Sequence, residues 1–372
     1  MSDTSFAASP ASINGAERFR LRLSAVAWFV LFVAFLLGLP VLFGDWAWMP
    51  LIVVALALVL AFPVAWTVRR LFSGQRRQRW WTSYVKAAAG TLFVLTTLLA
   101  APIYFLALRT ALDPLTVPQA TLSNGTKTVV FQGMMHVGSE GFYKSVIYDL
   151  EKALSDGDVI YYEGVVGDPE GDAWFSHTLA GGGDLSANYE MLGNTCGLSF
   201  QLDYFQLLRA DMTAHPERHI NADVSTADMM HEYERMVSED PAFAAAVEAE
   251  KSESSSSDTG GGGIGQLLGL LQSATPEQRS LIGTACRGWV TMALSGHEAP
   301  SALDPVILDF RNRKLAERII ADTHQNIYMT YGARHLPGLL ADLKASDPGW
   351  EIKSLKWMRT IDTPEDLSGA ID

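Results

Sequence analysis

Two cysteines in 372 residues exclude a disulfide-dense scaffold and any zinc module built on several thiolates. Charge is also scarce and one-sided. Only 19% of the residues are charged, and 28 Lys/Arg against 41 Asp/Glu leave a net charge of −13. A nucleic-acid binder needs a basic face to neutralise phosphates, so that class is excluded. No Gly-x-Ser-x-Gly elbow is present, and no Gly-Lys-Ser/Thr follows the glycine run at 260–263, which removes the serine-hydrolase and phosphate-loop signatures. Acidic residues are almost missing from residues 1–112, which hold three of them against ten Lys/Arg, a balance of +7; residues 113–372 carry −20.

Charge is absent altogether from residues 23–44, 46–68 and 87–108, runs of 22, 23 and 22 residues. A helix rising about 1.5 Å per residue crosses a hydrocarbon core of roughly 30 Å in about 20 residues, so each run is long enough to span a membrane. Pro40, Pro63 and Pro102 fall in these runs near helix ends or where neighbouring helices can satisfy the freed carbonyl. A cleaved signal peptide does not fit: the first run exceeds a 7–15-residue apolar region, and two more spans follow. Arg18, Arg20 and Arg22 precede the first run, and Arg69, Arg70, Arg76, Arg77, Arg79 and Lys86 separate the second from the third; the Gly44-Asp45 connection carries no cation. The positive-inside rule then puts the N-terminus in the cytoplasm and everything after Arg109 on the far side. Trp46, Trp48, Trp80, Trp81 and Tyr84 occupy interfacial positions, with the arginines set against anionic lipid. In a bacterium this describes a three-pass inner-membrane protein with a periplasmic C-terminal domain. Cys196 and Cys286 would there meet an oxidising compartment, although their spacing does not decide whether they pair.

The acidic part reads as alternating strands and helices. Residues 128–132 (TVVFQ) form a strand after the Asn124-Gly125 turn, hairpinned with 120–123. Residues 139–154 place Phe142, Val146, Ile147, Leu150 and Leu154 on one helical face, and 159–162 (VIYY) is the next strand. That is a β-α-β unit. A second unit comprises 326–331, a helix over 336–345 and a strand over 351–358. Between the units, 185–208 and 227–249 read as helical, 219–224 as a short strand and 305–322 as a helix. Residues 251–263 (KSESSSSDTGGGG) read as a mobile low-complexity loop, and 266–294 as further helix. The expected organisation is a cytoplasmic tail at 1–22, a three-helix anchor at 23–112 and an extracytoplasmic α/β domain at 113–372. That domain is a mixed sheet of β-α-β units with a helical insertion at about 225–300.

Gly133-Met134-Met135-His136 and Gly332-Ala333-Arg334-His335 are two Gly-x-x-His runs, each between a strand and a helix. Open α/β sheets bind ligands outside the C-terminal ends of their strands. Glu163 follows the 159–162 strand in the same layer. Two imidazoles and a carboxylate form a common set for a divalent transition metal, which would activate water as a nucleophile. Other candidates are weaker. His215 and His219 have i, i+4 spacing, but Pro216 and the charged context read as a surface loop. His231-Glu232 begins like a zincin helix, yet Arg235 stands where the second histidine belongs. Asp168, Glu170 and Asp172 read as a solvated acidic loop.

The stretch VVFQGMMHVGSEGFYKSVIYDLEKALSDGDVIYYEG, with ILDFRNRKLAERI and NIYMTYGARHLPGLLADL near the end, resembles the TraB/Tiki/PrgY superfamily, itself related to erythromycin-esterase-like and ChaN-like proteins. The resemblance covers about 70 residues in two blocks. It implies paired Gly-x-x-His motifs at His136 and His335, a glutamate at Glu163 and an Arg-Asn pair at Arg311-Asn312. Tiki members look like metal-dependent proteases acting outside the cell, and PrgY-type members are membrane proteins that restrain peptide signalling. Met134 and Met135 stand where small residues are usual, Gly164 follows the glutamate, Phe310 replaces an acid before Arg-Asn, and the spans precede the domain. The reading that results is a divalent-metal-dependent hydrolase. His136, Glu163 and His335 bind Mn²⁺, Co²⁺ or Zn²⁺, with either histidine able to act as base instead. Arg311 would hold a substrate carboxylate or an oxyanion, Asn312 would orient it, and Arg334 is a further substrate contact. Peptide or protein is the expected substrate and membrane lipid the expected partner. A non-catalytic peptide binder that inhibits signalling and, by the ChaN relation, a haem binder are the alternatives.

Overall fold

A computed structural model describes residues 15–44, 48–71, 79–179, 185–256, 276–295 and 300–363. It divides into two units, Met1–Phe105 and Leu106–Asp372.

The first unit is helical. Its helices are α1 (Gly15–Gly44), α2 (Met49–Leu71) and α3 (Trp80–Leu112), the last of which ends in the second unit. At 30, 23 and 33 residues they are about 45, 35 and 50 Å long. All three are long and apolar enough to cross a membrane. Pro40, Pro63 and Pro102 lie inside them. Polar groups close onto the backbone: Tyr84 Oη donates to the Leu58 carbonyl at 2.9 Å and Tyr104 Oη to that of Leu37 at 2.6 Å. Trp46, Arg76 and Arg77 fall outside the described residues.

The second unit is built on a six-stranded sheet in the order β6-β4-β7-β2-β1-β8. The strands are β1 (Thr116–Ser123), β2 (Thr128–Met134), β4 (Val159–Tyr162), β6 (His219–Asn221), β7 (Asn326–Gly332) and β8 (Glu351–Arg359), with β3 (Val137–Gly138) and β5 (Ser199–Phe200) forming a separate antiparallel pair. β2, β7, β4 and β6 are mutually parallel, and β1 is antiparallel to both β2 and β8. β8 therefore runs with β2, and β1 alone is reversed. The helices after α3 are α4 (Glu140–Asp156), α5 (Asp172–Thr178), α6 (Leu185–Cys196), α7 (Gln201–Phe205), α8 (Arg209–Ala214), α9 (Thr226–Glu239), α10 (Pro241–Ser256), α11 (Pro276–Ser295), α12 (Arg311–Ala321) and α13 (His335–Ser346).

The two faces of the sheet bury different helices. Val129, Phe131, Ile327, Met329 and Tyr331 pack with Leu315 and Ile319 of α12 and Leu339 and Leu343 of α13. Ile160 and Tyr328, which alternate with that set, pack against Val146, Ile147 and Leu150 of α4. A buried leucine contributes roughly 1.5–3 kcal/mol, so the two layers clamp the strand ends in place. α4 stops at Gly157, whose φ of +91° suits only glycine comfortably.

Several expected elements differ in extent. The helix expected over 185–208 is interrupted at Gly197, whose φ is +61°, and β5 intervenes before α7. The helix over 227–249 breaks at Asp240-Pro241, because proline lacks the N–H that continues a helix. Residues 251–256 of the expected loop instead complete α10, and 257–263 lie outside the described residues, as do 266–275. The 305–322 helix opens with a π-helical turn over Pro305–Phe310. His219 is a buried strand residue hydrogen-bonded to Asp211 at 2.6 Å, not part of a surface loop.

The acidic loop serves as a clasp. Asp172 Oδ1 accepts from the Asp168 amide at 2.9 Å and from the Thr226 hydroxyl at 2.8 Å, fastening the loop to the start of α9. A Cβ on Gly171 would fall 2.2 Å from the Thr226 carbonyl carbon, so backbone must move to admit any side chain. Gly171→Ala is expected to destabilise the domain by about 1–3 kcal/mol, the usual cost of overpacking, read as a lower denaturation midpoint; an unchanged midpoint would refute the clasp.

Candidate active site

The parallel strands end in one layer. Met134 of β2 pairs with Gly332 of β7, Tyr162 of β4 with Thr330 of β7, and Asn221 of β6 with Tyr162. The residues just beyond these ends therefore converge on one ledge, and there stand His136, Glu163, Asp223 and His335.

Glu163 is fixed through both oxygens. Its Oε1 accepts from Arg311 Nη2 and its Oε2 from the Gly332 amide, each at 2.6 Å. Gly332 admits that carboxylate: a Cβ there would lie 3.2 Å from Oε2. Arg311 is buried. It faces Asp223 bidentately, Nε to Oδ1 at 2.9 Å and Nη2 to Oδ2 at 2.5 Å, and its Nη1 donates to the Ile307 carbonyl at 3.3 Å. The guanidinium is thus committed largely to two carboxylates, the geometry for which arginine is best suited. It also lies 5.6 Å from the Tyr331 ring centroid. Burial pushes the Asp223 carboxyl up, but hydrogen bonds and charge from Arg311 outweigh it and hold the group below the ordinary carboxylate value.

His335 begins α13 and is buried. Its Nδ1 meets Asn312 Oδ1 at 2.8 Å, and its Nε2 faces Glu163 Oε1 at 3.8 Å. Burial, reinforced by Arg311 and opposed by Glu163 and Asp223, pushes its pKa down to about 4. At neutral pH the ring is uncharged. With its Nδ1 proton given to Asn312, Nε2 presents a lone pair toward the carboxylate. Asn312 depends on Gly338 for space, since a Cβ there would sit 2.2 Å from its Nδ2.

His136 lies at the exposed rim after β2. Its ring stacks on Tyr189 of α6, with centroids 4.2 Å apart. The Gln201 carboxamide meets Nδ1 at 3.0 Å while the Gln201 amide donates to the His136 carbonyl at 3.0 Å. With Gln201 Nε2 donating to Nδ1 the neutral ring carries its proton on Nε2; with the carboxamide reversed, Nδ1–H donates to its oxygen and Nε2 carries the lone pair. Loss of surrounding water lowers its pKa; the charge on Glu163 opposes this and that on Arg311 adds to it. Arg334 is half exposed and turned to Asp304, with both carboxylate oxygens within 3.1 Å.

Glu163 with Arg311 and His335 with Asn312 are therefore two hydrogen-bonded pairs facing each other across 3.8 Å, with His136 on their rim and Arg334 directed elsewhere. Asp223, Tyr331, Gln201 and Tyr189 join them without having been anticipated. Asp223 follows a parallel strand much as Glu163 does, which was the available signal. Tyr331 Oη is buried, and burial together with Asp223 raises its pKa.

The donor set can be compared with metal chemistry. Two ligands about 2.1 Å from one ion lie roughly 3.0–3.4 Å apart, close to the 3.8 Å between His335 Nε2 and Glu163 Oε1. A ligating imidazole with its other nitrogen bonded to a carbonyl oxygen is the usual supporting arrangement, as Asn312 provides. The pair fits a divalent ion. Among the described residues, no three His, Cys, Asp or Glu side chains stand close enough to hold one, so His136 lies outside the immediate pair.

Cys196 and Cys286 are joined in a disulfide, with Cα atoms 5.1 Å apart, linking α6 to α11. The segment that covers His136 is thereby tied down between Tyr189 and Gln201.

No family model, curated protein or solved structure matches this chain.

Proposed function

We propose that the chain is a membrane-anchored, divalent-metal-dependent hydrolase acting outside the cytoplasm on peptides, in the manner of the TraB/Tiki superfamily that its motifs resemble. The observation that carries this reading is the neutral His335 Nε2 opposed to Glu163 Oε1, with both groups held from behind. The Cys196–Cys286 bond supports an oxidising compartment, and the arginine distribution supports a cytoplasmic N-terminus.

His335 and Glu163 would hold Mn²⁺, Co²⁺ or Zn²⁺, and His136, outside that immediate pair, would act as base. The ion would supply Lewis acidity to a scissile carbonyl and lower the pKa of water. Asn312 fixes the His335 tautomer. Arg311 and the Gly332 amide fix the Glu163 rotamer, a positioning task that occupies the donors Arg311 would otherwise offer a substrate. His136, its pKa held below the ordinary value, would accept a proton at Nε2 in the tautomer whose Nδ1–H donates to the Gln201 carboxamide oxygen. Water oxygen adds to the carbonyl carbon as that proton leaves; the proton then passes to the amine nitrogen as the C–N bond breaks. Arg334 at the rim would exchange Asp304 for a peptide carboxylate.

Full-length chain in detergent, supplied with each of the three ions and then desalted, is expected to retain stoichiometric metal and to cleave a fluorogenic peptide library. His335→Ala should lose the metal and lower cleavage by at least about a hundredfold, as loss of a group central to catalysis does. A wild type that retains none of the ions refutes the metal reading. Retention of metal without turnover favours the non-catalytic binder, and a Soret band on haem addition favours the haem alternative.

A further inference from the structure

One helix presents the wrong side to water. Over Ser280–Ser295 the only charged residue of α11 is Arg287, whose guanidinium donates to the Cys196, Gly197 and Asp362 carbonyls. Val290 of α11 is buried in a cluster with Cys196 and Ile361. The face away from Val290 carries Trp289 and Met292, 50% and 42% exposed. Trp289 and Met292 are three residues apart, and Ala285 precedes Trp289 by four, so they form one stripe. A solvated helix face is ordinarily polar, and this one is apolar from Ala285 to Met292.

The same helix touches the end of α3. A Cβ on Gly288 would lie 2.4 Å from the Leu106 carbonyl oxygen and 2.5 Å from Leu106 Cβ, so the two backbones are in direct contact. Leu106 belongs to the charge-free run 87–108, three residues before Arg109, or about 4.5 Å along the helix from that first charge. A helix that meets α3 at Leu106 lies at the depth where hydrocarbon gives way to headgroups. Tryptophan is enriched at that boundary, and an interfacial helix buries an apolar face there.

We propose that α11 is an interfacial helix whose Ala285–Trp289–Met292 face seats in the leaflet into which α3 emerges. Lipid, not a second protein, covers that face, because the contact with Leu106 sets it beside the end of the charge-free run 87–108. The inference is independent of the chemistry at His335. It has a structural consequence for the same domain: α11 holds the cover of His136 through Cys286 and Arg287, so the bilayer becomes part of what fixes that cover.

The test uses the full-length chain in phosphatidylcholine nanodiscs. Trp289→Cys, Met292→Cys and, on the exposed face of α4, Tyr148→Cys are each labelled with an environment-sensitive NBD probe, the native disulfide leaving no other thiol. Probes at 289 and 292 are expected to emit at shorter wavelength than the probe at 148. A nitroxide near the top of the lipid acyl chain should quench them, and aqueous iodide should not; the probe at 148 should respond in the opposite way. The two α11 positions are read separately, so misfolding of one variant leaves the other decisive. Equal iodide quenching at all three positions overturns the proposal. So does probe self-quenching at 289 and 292 that rises with the number of chains per disc, which would mean that a second copy covers the face.

Discussion

Arg311→Met is expected to lower the stability of the domain by about 3–5 kcal/mol at pH 7, the cost of breaking a buried ion pair from one side. Arg311 serves two carboxylates at once, and the Asp223 side chain is fully buried. Removing the guanidinium leaves Asp223 with the Gly164 and Val224 amides, which should keep the loss from exceeding that range. The effect has a defined pH dependence. In the wild type the Asp223 pKa is depressed in the folded state, so its contribution is present above the ordinary carboxylate pKa of about 3.9. That contribution is lost as pH falls through the depressed value. In the variant, burial acts without Arg311 and raises the folded pKa, so the penalty grows as pH rises through the ordinary value and is relieved on acidification. Denaturation midpoints of the two proteins measured in detergent should therefore differ most near neutrality, draw together as pH falls to about 4 and go on converging below it. A difference independent of pH would mean that Arg311 acts through packing alone.

Removing the disulfide is the second large effect. Cys196 and Cys286 are 90 residues apart in sequence, and cross-linking so long a loop restricts the unfolded chain strongly, typically by about 2–4 kcal/mol. The double variant Cys196→Ser/Cys286→Ser should lose that much stability and should no longer respond to reductant, whereas wild type should fall to the variant's midpoint when reduced. The loss should be uneven across the site. Tyr189 and Gln201, which flank Cys196, should release His136, while the His335–Glu163 pair, built on β4, β7 and α12, should persist. Histidine-selective exchange or chemical modification would resolve this: His136 should become more reactive and His335 should not. Equal change at both would mean that the disulfide supports the domain globally.

Much of this architecture is legible in the residue order where local pattern and tertiary environment agree. The runs TVVFQ, VIYY and NIYMTY are apolar and β-branched or aromatic between turn signals, and they become β2, β4 and β7 at the centre of the sheet. α4 keeps its amphipathic face and its glycine stop. Because these strands are parallel, the residues after them had to share a layer, which brings His136, Glu163 and His335 to one ledge before any contact is known. Asp223 is hidden because its strand has three residues, too few for a periodic signal. Tyr189 and Gln201 carry no local mark: they come to His136 through the β3–β5 pairing and the disulfide, both long-range events. The break at Gly197 also depends on that pairing, which competes with continuing α6.

The π-helical turn at Pro305–Phe310 sets the rotational phase of everything after it. A π turn accommodates an additional residue relative to an α turn, so α12 starts advanced by one position. Successive residues of a helix point about 100° apart, as 3.6 residues per turn requires. Arg311 and Asn312 can therefore reach different neighbours, the first the paired acids of β4 and β6, the second the imidazole of α13. Deleting one residue from the turn would restore regular α-geometry and yet rotate this pair away from both, exchanging local regularity for loss of the angular alignment between the carboxylates beyond β4 and β6 and the imidazole at the start of α13.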